Sequence, residues 1–284
     1  MHVNCCEQGQ SIEDICRKAV EYNFDGVEFR FKRFKFGYNE SSIETSSEYL
    51  NRIATASEKY GLKHILFGGG PILTNEPDTS IRKQQTKEYC DFLKSASSHF
   101  GLSVCNLLSG TIFSDKFPRW QGDKQGSSAA TPEQFAWLVE SFKEIGETAG
   151  EYNIQLAFET HPGRYHDNID ATMHLVNNIG LENVGINLDY ANMLAFGELP
   201  PLDEVLNICK DKLFYVHFKN AYTIPRLQYH QLPCALEDGV INTRELVFRL
   251  KEMNYKGPVA IEAAREGDRE WFAQQDITYY KTLI

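Results

Sequence analysis

The chain has 284 residues, a net charge of -10 and an isoelectric point near 5.3. That length suits one large domain, because a single α/β barrel needs about 250 residues. The acidic balance argues against a surface built to neutralise phosphate backbones, so we expect no nucleic-acid partner. No stretch approaches the roughly 20 apolar residues of a membrane span, so we expect no membrane association.

Seven scattered cysteines without a CxxC motif favour a reducing compartment over a disulfide framework or a thiolate zinc site. The first ten residues, MHVNCCEQGQ, lack a basic region followed by a long apolar core, so we expect no export. Together these features predict a cytoplasmic protein.

Strand and helix patterns alternate along the whole chain. Apolar runs typical of strands occupy residues 2–6, 24–30, 61–69, 101–110, 153–159, 183–189, 212–219 and 257–263. Helical periodicity occupies residues 11–23, 45–60, 80–99, 132–152, 169–179, 202–209, 242–254 and 269–282. Eight strands, each followed by a helix, predict an α/β fold: a (β/α)8 TIM barrel forming a single domain over residues 1–284.

An open doubly wound sheet is the main alternative fold, and its usual sign is a glycine-rich turn after the first strand. That sign is absent. FGGGP at 67–71 follows the third strand candidate without GxGxxG spacing or a Walker lysine, so we interpret it as a turn that gives room at the barrel mouth. The irregular stretches 110–131 and 220–240 are predicted to be loops at the active face.

Four polar residues stand where the last four strand candidates end: Glu159, Asp189, His217 and Glu262. Barrel enzymes place their chemistry at the carboxyl ends of strands, so these side chains are expected to converge. Alone, each would be an ordinary loop carboxylate or core histidine. Together, three carboxylates and one imidazole favour one divalent metal ion, Mn²⁺ first, with Mg²⁺, Co²⁺ or Zn²⁺ as alternatives.

Side chains two positions from a ligand also face the barrel interior, because side chains alternate along a strand. This periodicity adds His161, Asn187 and Lys219 to the predicted interior. Three buried carboxylates without a cation would repel one another and become protonated. The pattern therefore indicates a polar cavity that holds a cation.

These motifs resemble the xylose isomerase-like barrel superfamily, in particular its sugar phosphate isomerase/epimerase branch, which includes ketose 3-epimerases. The matching segments are FDGVEF at 24–29, FETHPG at 158–163, INLDYANM at 186–193, VHFKNA at 216–221 and the stretch 236–263. The resemblance implies that the four strand-end residues bind the metal and that Glu159 and Glu262 are also the acid/base pair.

The chain departs from that family at two positions. Many relatives carry a histidine three residues after the aspartate, where this chain has Asn192 as the candidate substrate contact. Relatives also carry an arginine soon after the histidine of the seventh strand, whereas here Arg226 lies nine residues beyond His217.

Further residues near the predicted site are candidates for catalysis or substrate binding. Lys219 is either a catalytic residue that stabilises enolate charge or a surface lysine, and His161 can hold a hydroxyl or relay protons. Arg164 and His166 follow as weaker substrate contacts. Glu28 contacts substrate or forms a structural ion pair with Arg30.

Two aromatic regions are also candidates. Trp120, in KFPRWQG at 116–122, belongs to a lid that stacks on a sugar or packs on the barrel rim. Aromatic residues after the second strand candidate can line an apolar wall or join subunits, which leaves a homo-oligomer open: Phe31, Phe34, Phe36 and Tyr38.

The predicted activity is a metal-dependent isomerase or epimerase of a sugar or polyol-derived small molecule. A cation bound between a carbonyl and an adjacent hydroxyl acidifies the intervening C–H bond, and two glutamates can remove and return the proton. One alternative is a metal-dependent dehydratase of a cyclic polyol ketone or a dehydroshikimate-type acid. An endonuclease IV-like repair enzyme and a non-catalytic binding protein are the remaining readings.

Overall fold

The computed structural model describes residues 1–5, 10–31, 46–224 and 231–284. Seven parallel strands form one sheet in the order β1-β2-β3-β4-β5-β6-β9, which follows the chain apart from an inserted hairpin. The strands are β1 (Gly26–Arg30), β2 (His64–Gly68), β3 (Val104–Leu107), β4 (Gln155–Glu159), β5 (Val184–Asp189), β6 (Leu213–Phe218) and β9 (Val259–Ile261). This order and the flanking helices confirm the single-domain TIM barrel.

The barrel is closed by the first residues of the chain rather than by an eighth strand. The predicted strand at 2–6 is wrong: Val3–Cys5 forms a 3₁₀ helix, and only His2 makes an isolated parallel bridge with Glu28. The Cys5 N–H donates to the His2 carbonyl (3.0 Å), which turns the chain away from an extended path. The His2 N–H donates to the Ile261 carbonyl (3.1 Å) and the Glu28 N–H to the Met1 carbonyl (2.8 Å), so these first residues join both edges of the sheet.

Eight α-helices lie in the described part of the chain, close to the predicted positions. They are α1 (Ile12–Glu21), α2 (Ser46–Tyr60), α3 (Thr79–Phe100), α4 (Pro132–Glu151), α5 (Ile169–Ile179), α6 (Leu202–Cys209), α7 (Thr243–Glu252) and α8 (Arg269–Lys281). Their starts follow local chemistry: the Thr131 side chain and Gln134 form a reciprocal capping box before α4. None of these described helices is long and apolar enough to cross a membrane.

The loop after β6 contains a hairpin that the sequence patterns did not predict. Strand β7 (Asn220–Thr223) pairs antiparallel with β8 (Gln231–Cys234), while Arg226 and its neighbours at 225–230 lie outside the described residues. The Asn220 side chain donates to the carbonyls of Leu236 and Ile241 (3.3 and 2.8 Å), which ties this loop to the end of β6. The loop position is therefore fixed beside the strand that carries His217.

Most apolar burial lies between the barrel and its helices. The interior holds a smaller apolar cluster of Val104, Ala157, Tyr215 and Ala260, and polar side chains lie above it. Phe31 packs edge-on against Tyr89 and Phe92, each at 4.8 Å between ring centroids, and so belongs to the core. Phe34, Phe36 and Tyr38 lie outside the described residues.

Candidate metal centre

The four strand-end side chains converge at the carboxyl end of the barrel. Each of Glu159, Asp189, His217 and Glu262 offers one ligand atom, and these atoms all lie within 4.8 Å of one another. Glu159, Asp189 and His217 are buried, while Glu262, one residue beyond β9, is partly exposed. The Glu262 N–H donates to the Phe218 carbonyl (2.9 Å), so the ladder with β6 extends to this residue.

Hydrogen bonds between side chains and the backbone hold the ends of the strands that carry the candidate ligands. The sequence patterns did not indicate these bonds. The Thr160 hydroxyl accepts from the Asp189 N–H and donates to the Asp189 carbonyl, both at 2.9 Å. His166 is fully buried, accepts from the Ser109 N–H (3.0 Å) through Nε2, and its Nδ1 lies 2.5 Å from the Glu159 carbonyl oxygen. His166 thus braces β4 against the loop after β3 rather than facing the cavity.

Two amides orient the Glu159 carboxylate. Asn106 Nδ2 donates to Oε2 (2.9 Å), and Asn192 Nδ2 donates to Oε1 (3.1 Å). Asn192 also donates its backbone N–H to Asp189 Oδ1 (3.0 Å). Asn192 therefore contacts two of the candidate ligands.

Lys219 points into the cluster and not outward, which removes the surface-lysine alternative. Its Nζ lies 2.7 Å from Asp189 Oδ2 and 3.7 Å from Glu262 Oε2, and its side chain is 25% exposed. Burial lowers the pKa of Lys219, but the Asp189 and Glu262 carboxylates outweigh burial, and the net pKa is raised. The amine is therefore a permanent positive charge at the open side of the site.

A polar layer lies directly behind His217. Glu28 Oε2 lies 2.8 Å from His217 Nε2 and accepts from the Tyr215 hydroxyl (2.6 Å), while Asn106 Nδ2 lies 3.2 Å from Glu28 Oε1. Glu28 is 1% exposed. A carboxylate behind a metal-binding histidine fixes the ring orientation, so Glu28 is placed to orient His217.

Glycine at position 68 makes room for this carboxylate. A Cβ on Gly68 would lie 1.8 Å from Glu28 Oε1, far inside any real contact distance. The first two residues of the FGGGP segment end β2, and the turn itself lies just beyond the segment, at residues 72–75. Gly68 thus gives space to a buried side chain at the end of a strand.

The electrostatics of the cluster fit a divalent cation. Burial lowers the pKa of His217, but the neighbouring Glu28 and Glu262 carboxylates outweigh burial and raise it well above its ordinary value. Burial raises the pKa of Asp189 to about 6 despite the opposing charge of Lys219. Positive charge from protonated His217 and Lys219 therefore stabilises the carboxylates. Once His217 has released its proton, the carboxylate oxygens and the imidazole are a donor set suited to Mn²⁺, Mg²⁺, Co²⁺ or Zn²⁺.

The mouth of the site carries cationic and aromatic side chains. His161 Nδ1 lies 2.9 Å from the Pro162 carbonyl oxygen, and Arg164 donates to the Ser109 carbonyl. Burial lowers the pKa of Arg164 to about 10, partly offset by the Glu159 charge. Arg30 Nη2 lies 3.8 Å from Glu262 Oε1, whereas the nearest partners of Glu28 are His217 and Tyr215.

The long loop after β3 is anchored beside this mouth. The Ile112 N–H donates to the Gly163 carbonyl (2.8 Å), and Gln125, 1% exposed, accepts from the Ser114 N–H (2.8 Å). Arg119 lies over the Phe113 ring at 4.6 Å, and Trp120 is 52% exposed. Trp120 thus stands on a fixed loop with much of its ring open to solvent.

A closed parallel barrel with a carboxylate and histidine cluster at its strand ends defines a class of TIM-barrel proteins. Residues 16–283 match the xylose isomerase-like TIM barrel family, and the chain belongs to that family. Members of this family include epimerases, isomerases and a dehydratase.

Individual relatives are distant. The 3-dehydroshikimate dehydratase of Bacillus anthracis is 24% identical over 213 residues, covering 74% of this chain and 66% of that protein, which is just under two thirds of its length. A xylose isomerase-like TIM barrel protein from Mycobacterium smegmatis, solved in complex with magnesium, superposes with a TM-score of 0.73 at 16% identity over 95% of this chain and 87% of that one. The E. coli 3-keto-D-glucoside 4-epimerase has a TM-score of 0.73 at 16% identity over 97% and 95%.

Proposed function

We propose that the protein is a metal-dependent isomerase or epimerase of a sugar or sugar derivative that removes a proton next to a carbonyl group. The convergence of Glu159, Asp189, His217 and Glu262 within 4.8 Å carries this proposal. A bound divalent cation, Mn²⁺ first among the candidates, would polarise the carbonyl and acidify the neighbouring C–H bond. Asp189 and His217 serve as anchors in this proposal.

The two glutamates are suited to proton transfer because they reach the cluster from different strands. Glu159 lies at the end of β4 and Glu262 follows β9, so their carboxylates approach a substrate from two directions. If one removes a proton and the other returns it on the opposite face, the carbon is inverted; return to the adjacent carbon gives isomerisation. Lys219, between Asp189 and Glu262, can donate to a substrate oxygen on which negative charge develops.

Contacts to the rest of the substrate are assigned to residues around the mouth. Asn192 lies beside Glu159 and donates to its Oε1. Burial lowers the pKa of His161, and the nearby Glu159 charge offsets only part of that shift. Arg164 lies in the loop after β4, and Trp120 lies in the loop after β3. Glu28 is reassigned from substrate binding to the orientation of His217, because its carboxylate is occupied by His217 and Tyr215.

Dehydration of an acid is the second candidate, and a specific observation favours it. Three cationic side chains surround the mouth, Lys219, Arg164 and Arg30, and a substrate carboxylate would find a partner among them. The matched dehydratase from Bacillus anthracis points to the same class of substrate. Both candidates begin with removal of a proton next to a carbonyl and differ in the loss of a hydroxyl.

Isotope exchange separates these reactions. The protein is loaded with Mn²⁺ and incubated in D₂O with a panel of ketoses, aldoses and dehydroshikimate-type acids. We expect one sugar to gain deuterium at the carbon next to its carbonyl, with a new epimer or isomer detected by chromatography. Loss of water from an acid, seen by mass spectrometry, would select the dehydratase instead. Protein that binds Mn²⁺ but changes no compound in the panel would contradict the proposal.

A further inference from the structure

The segment that closes the barrel also reaches the candidate metal centre. His2 and Asn4 lie beside Glu262, although they are 260 and 258 residues away in sequence. Asn4 Nδ2 donates to Glu262 Oε1 (3.0 Å), and His2 Nε2 lies 3.6 Å from the same oxygen. Neither residue follows a strand, so the strand-end pattern gave no sign of them.

The hydrogen bonds of His2 determine the role of its ring. The Asn4 N–H donates to His2 Nδ1 (3.1 Å), so this nitrogen is an acceptor and the proton of the neutral ring sits on Nε2. His2 is fully buried, and its Nε2 lies 3.7 Å from Glu28 Oε1 in addition to the contact with Glu262. A nitrogen that carries a proton cannot bind a metal, so His2 is not a fifth ligand. Its Nε2 proton faces the two carboxylates from 3.6 and 3.7 Å, beyond hydrogen-bond distance.

The two oxygens of Glu262 face different partners. Oε1 receives the Asn4 amide and faces His2 and Arg30, whereas Oε2 lies 3.1 Å from His217 Nδ1 and 3.7 Å from Lys219 Nζ. Oε2 is thus the oxygen on the side of the other candidate ligands. A carboxylate with one oxygen held from behind has less rotational freedom at the other.

The segment itself is rigidly attached. The His2 N–H and the Cys5 thiol both donate to the Ile261 carbonyl (3.1 and 3.3 Å), and Arg269 Nη1 donates to the Asn4 carbonyl (3.0 Å). These bonds fix His2 and Asn4 relative to the strand that precedes Glu262.

We propose that His2 and Asn4 are positioning residues for Glu262, so that its Oε2 is presented to the metal ion. Asn4 holds Oε1 by a hydrogen bond, and the buried ring of His2 lies 3.6 Å from the same oxygen and limits where it can move. This inference rests on the proposed function, because it takes Glu262 to be a ligand. Residues 1–5 then have two roles: their backbone joins the two edges of the sheet, and their side chains set the orientation of one ligand.

Titration of the metal-free protein with Mn²⁺ by isothermal calorimetry tests this role. We expect Asn4→Ala and His2→Phe to raise the dissociation constant about 10–100-fold, as for partners behind other metal ligands. His2→Gln keeps a donor on a side chain of similar reach and is expected to recover most of the affinity. The matched control is Cys5→Ala, which removes a bond from the same segment to Ile261 without touching Glu262, and it should bind Mn²⁺ as the wild type does.

Thermal unfolding of the metal-free variants accompanies each titration. Equal Mn²⁺ affinity for Asn4→Ala and the wild type would overturn the inference, as would an equal loss of affinity in Cys5→Ala, since that would mean a general effect on the segment. If His2→Phe does not fold, Asn4→Ala decides the matter alone. A wild type that binds no Mn²⁺ would instead refute the proposed function, and the inference would fall with it.

Discussion

The two halves of the barrel perform different tasks at the candidate site. Strands β4, β5 and β6 and the residue after β9 supply the four candidate ligands. Strands β1 and β3 and residues 1–5 supply Glu28, Asn106 and Asn4, which contact three of these ligands from the other half of the barrel. The half that carries the candidate ligands, here called the ligand half, directs three carboxylates and one imidazole into the cavity. The other half, here called the supporting half, orients these side chains: Glu28 contacts His217, Asn106 contacts Glu159 and Asn4 contacts Glu262. The comparison teaches that a strand-end motif describes only one side of such a site.

Removing a carboxylate from the ligand half should have the largest effect. Glu159→Gln and Glu262→Gln keep the size of the side chain but lose the charge, the base and one accepting oxygen, so each should reduce turnover about 10²–10⁴-fold. Steady-state assay of the substrate found in the exchange panel measures the loss. Glu151→Gln, on the exposed end of α4, is the control with unchanged turnover. If either active-site variant kept full turnover, the two-carboxylate mechanism would be wrong.

Glu28→Gln tests the supporting half. The amide cannot hold His217 as a carboxylate does, so Mn²⁺ affinity should fall about 10–100-fold although residue 28 is not a ligand. Gly68→Ala should act in the same direction, because its Cβ would displace the Glu28 carboxylate. Calorimetric titration measures both variants.

A buried carboxylate outside the site provides the comparison for Glu28. Asp276 is fully buried, pairs with Arg265 at 3.0 Å and accepts from the Leu236 N–H (3.0 Å), and neither partner is a candidate ligand. Asp276→Asn should lower the melting temperature without weakening Mn²⁺ binding. A loss of affinity in this variant as large as in Glu28→Gln would show that the supporting half acts only through stability.

The halves should also differ in their response to pH. Burial raises the pKa of Asp189 to about 6, and a cation binds only its ionised form. His217, whose pKa is raised well above its ordinary value by Glu28 and Glu262, must also lose a proton before it binds a cation, so Mn²⁺ affinity should fall by more than about tenfold for each pH unit below 6. The pKa of Glu28 is lowered: burial alone would raise it, but contacts with His217, His2 and Tyr215 outweigh burial. Glu28 therefore stays ionised through this pH range. Titrations between pH 5 and 8 measure the profile. An affinity that stays constant from pH 7 to pH 5 would exclude Asp189 as the titrating ligand.

The outer loop should matter least. Trp120 is half exposed and lies on the loop after β3, so Trp120→Ala should leave Mn²⁺ affinity unchanged. Loss of a stacking contact of about 1 kcal/mol would raise KM about fivefold. Steady-state kinetics separate this effect from an effect on kcat. An unchanged KM would favour the alternative that Trp120 only packs on the rim.

The ligand half was predictable from sequence for a physical reason. Parallel strands buried on both faces read as continuous apolar runs, so a charged residue at the end of such a run stands out, as Glu159 and Asp189 do. The helices followed from their periodicity and caps. The predicted interior position of Lys219 followed from strand alternation and agrees with its contact to Asp189.

The supporting half was harder because its partners are distant in sequence. His2 lies in a segment that looks like a strand but pairs only by one bridge, and nothing local indicates that it meets Glu262. Glu28 reads as half of an ion pair with nearby Arg30, yet its closest partners come from β6. The β7 and β8 hairpin was missed because its strands are short and one of them contains Pro233.

Metal content tests the central claim most directly. After incubation with Mn²⁺ and removal of excess ion, elemental analysis of the protein should give one Mn²⁺ per chain. The Asp189→Asn variant, treated in the same way, should retain far less. Three tightly held zinc ions would instead support the endonuclease IV-like reading, and no retained metal in the wild type would contradict the site formed by Glu159, Asp189, His217 and Glu262.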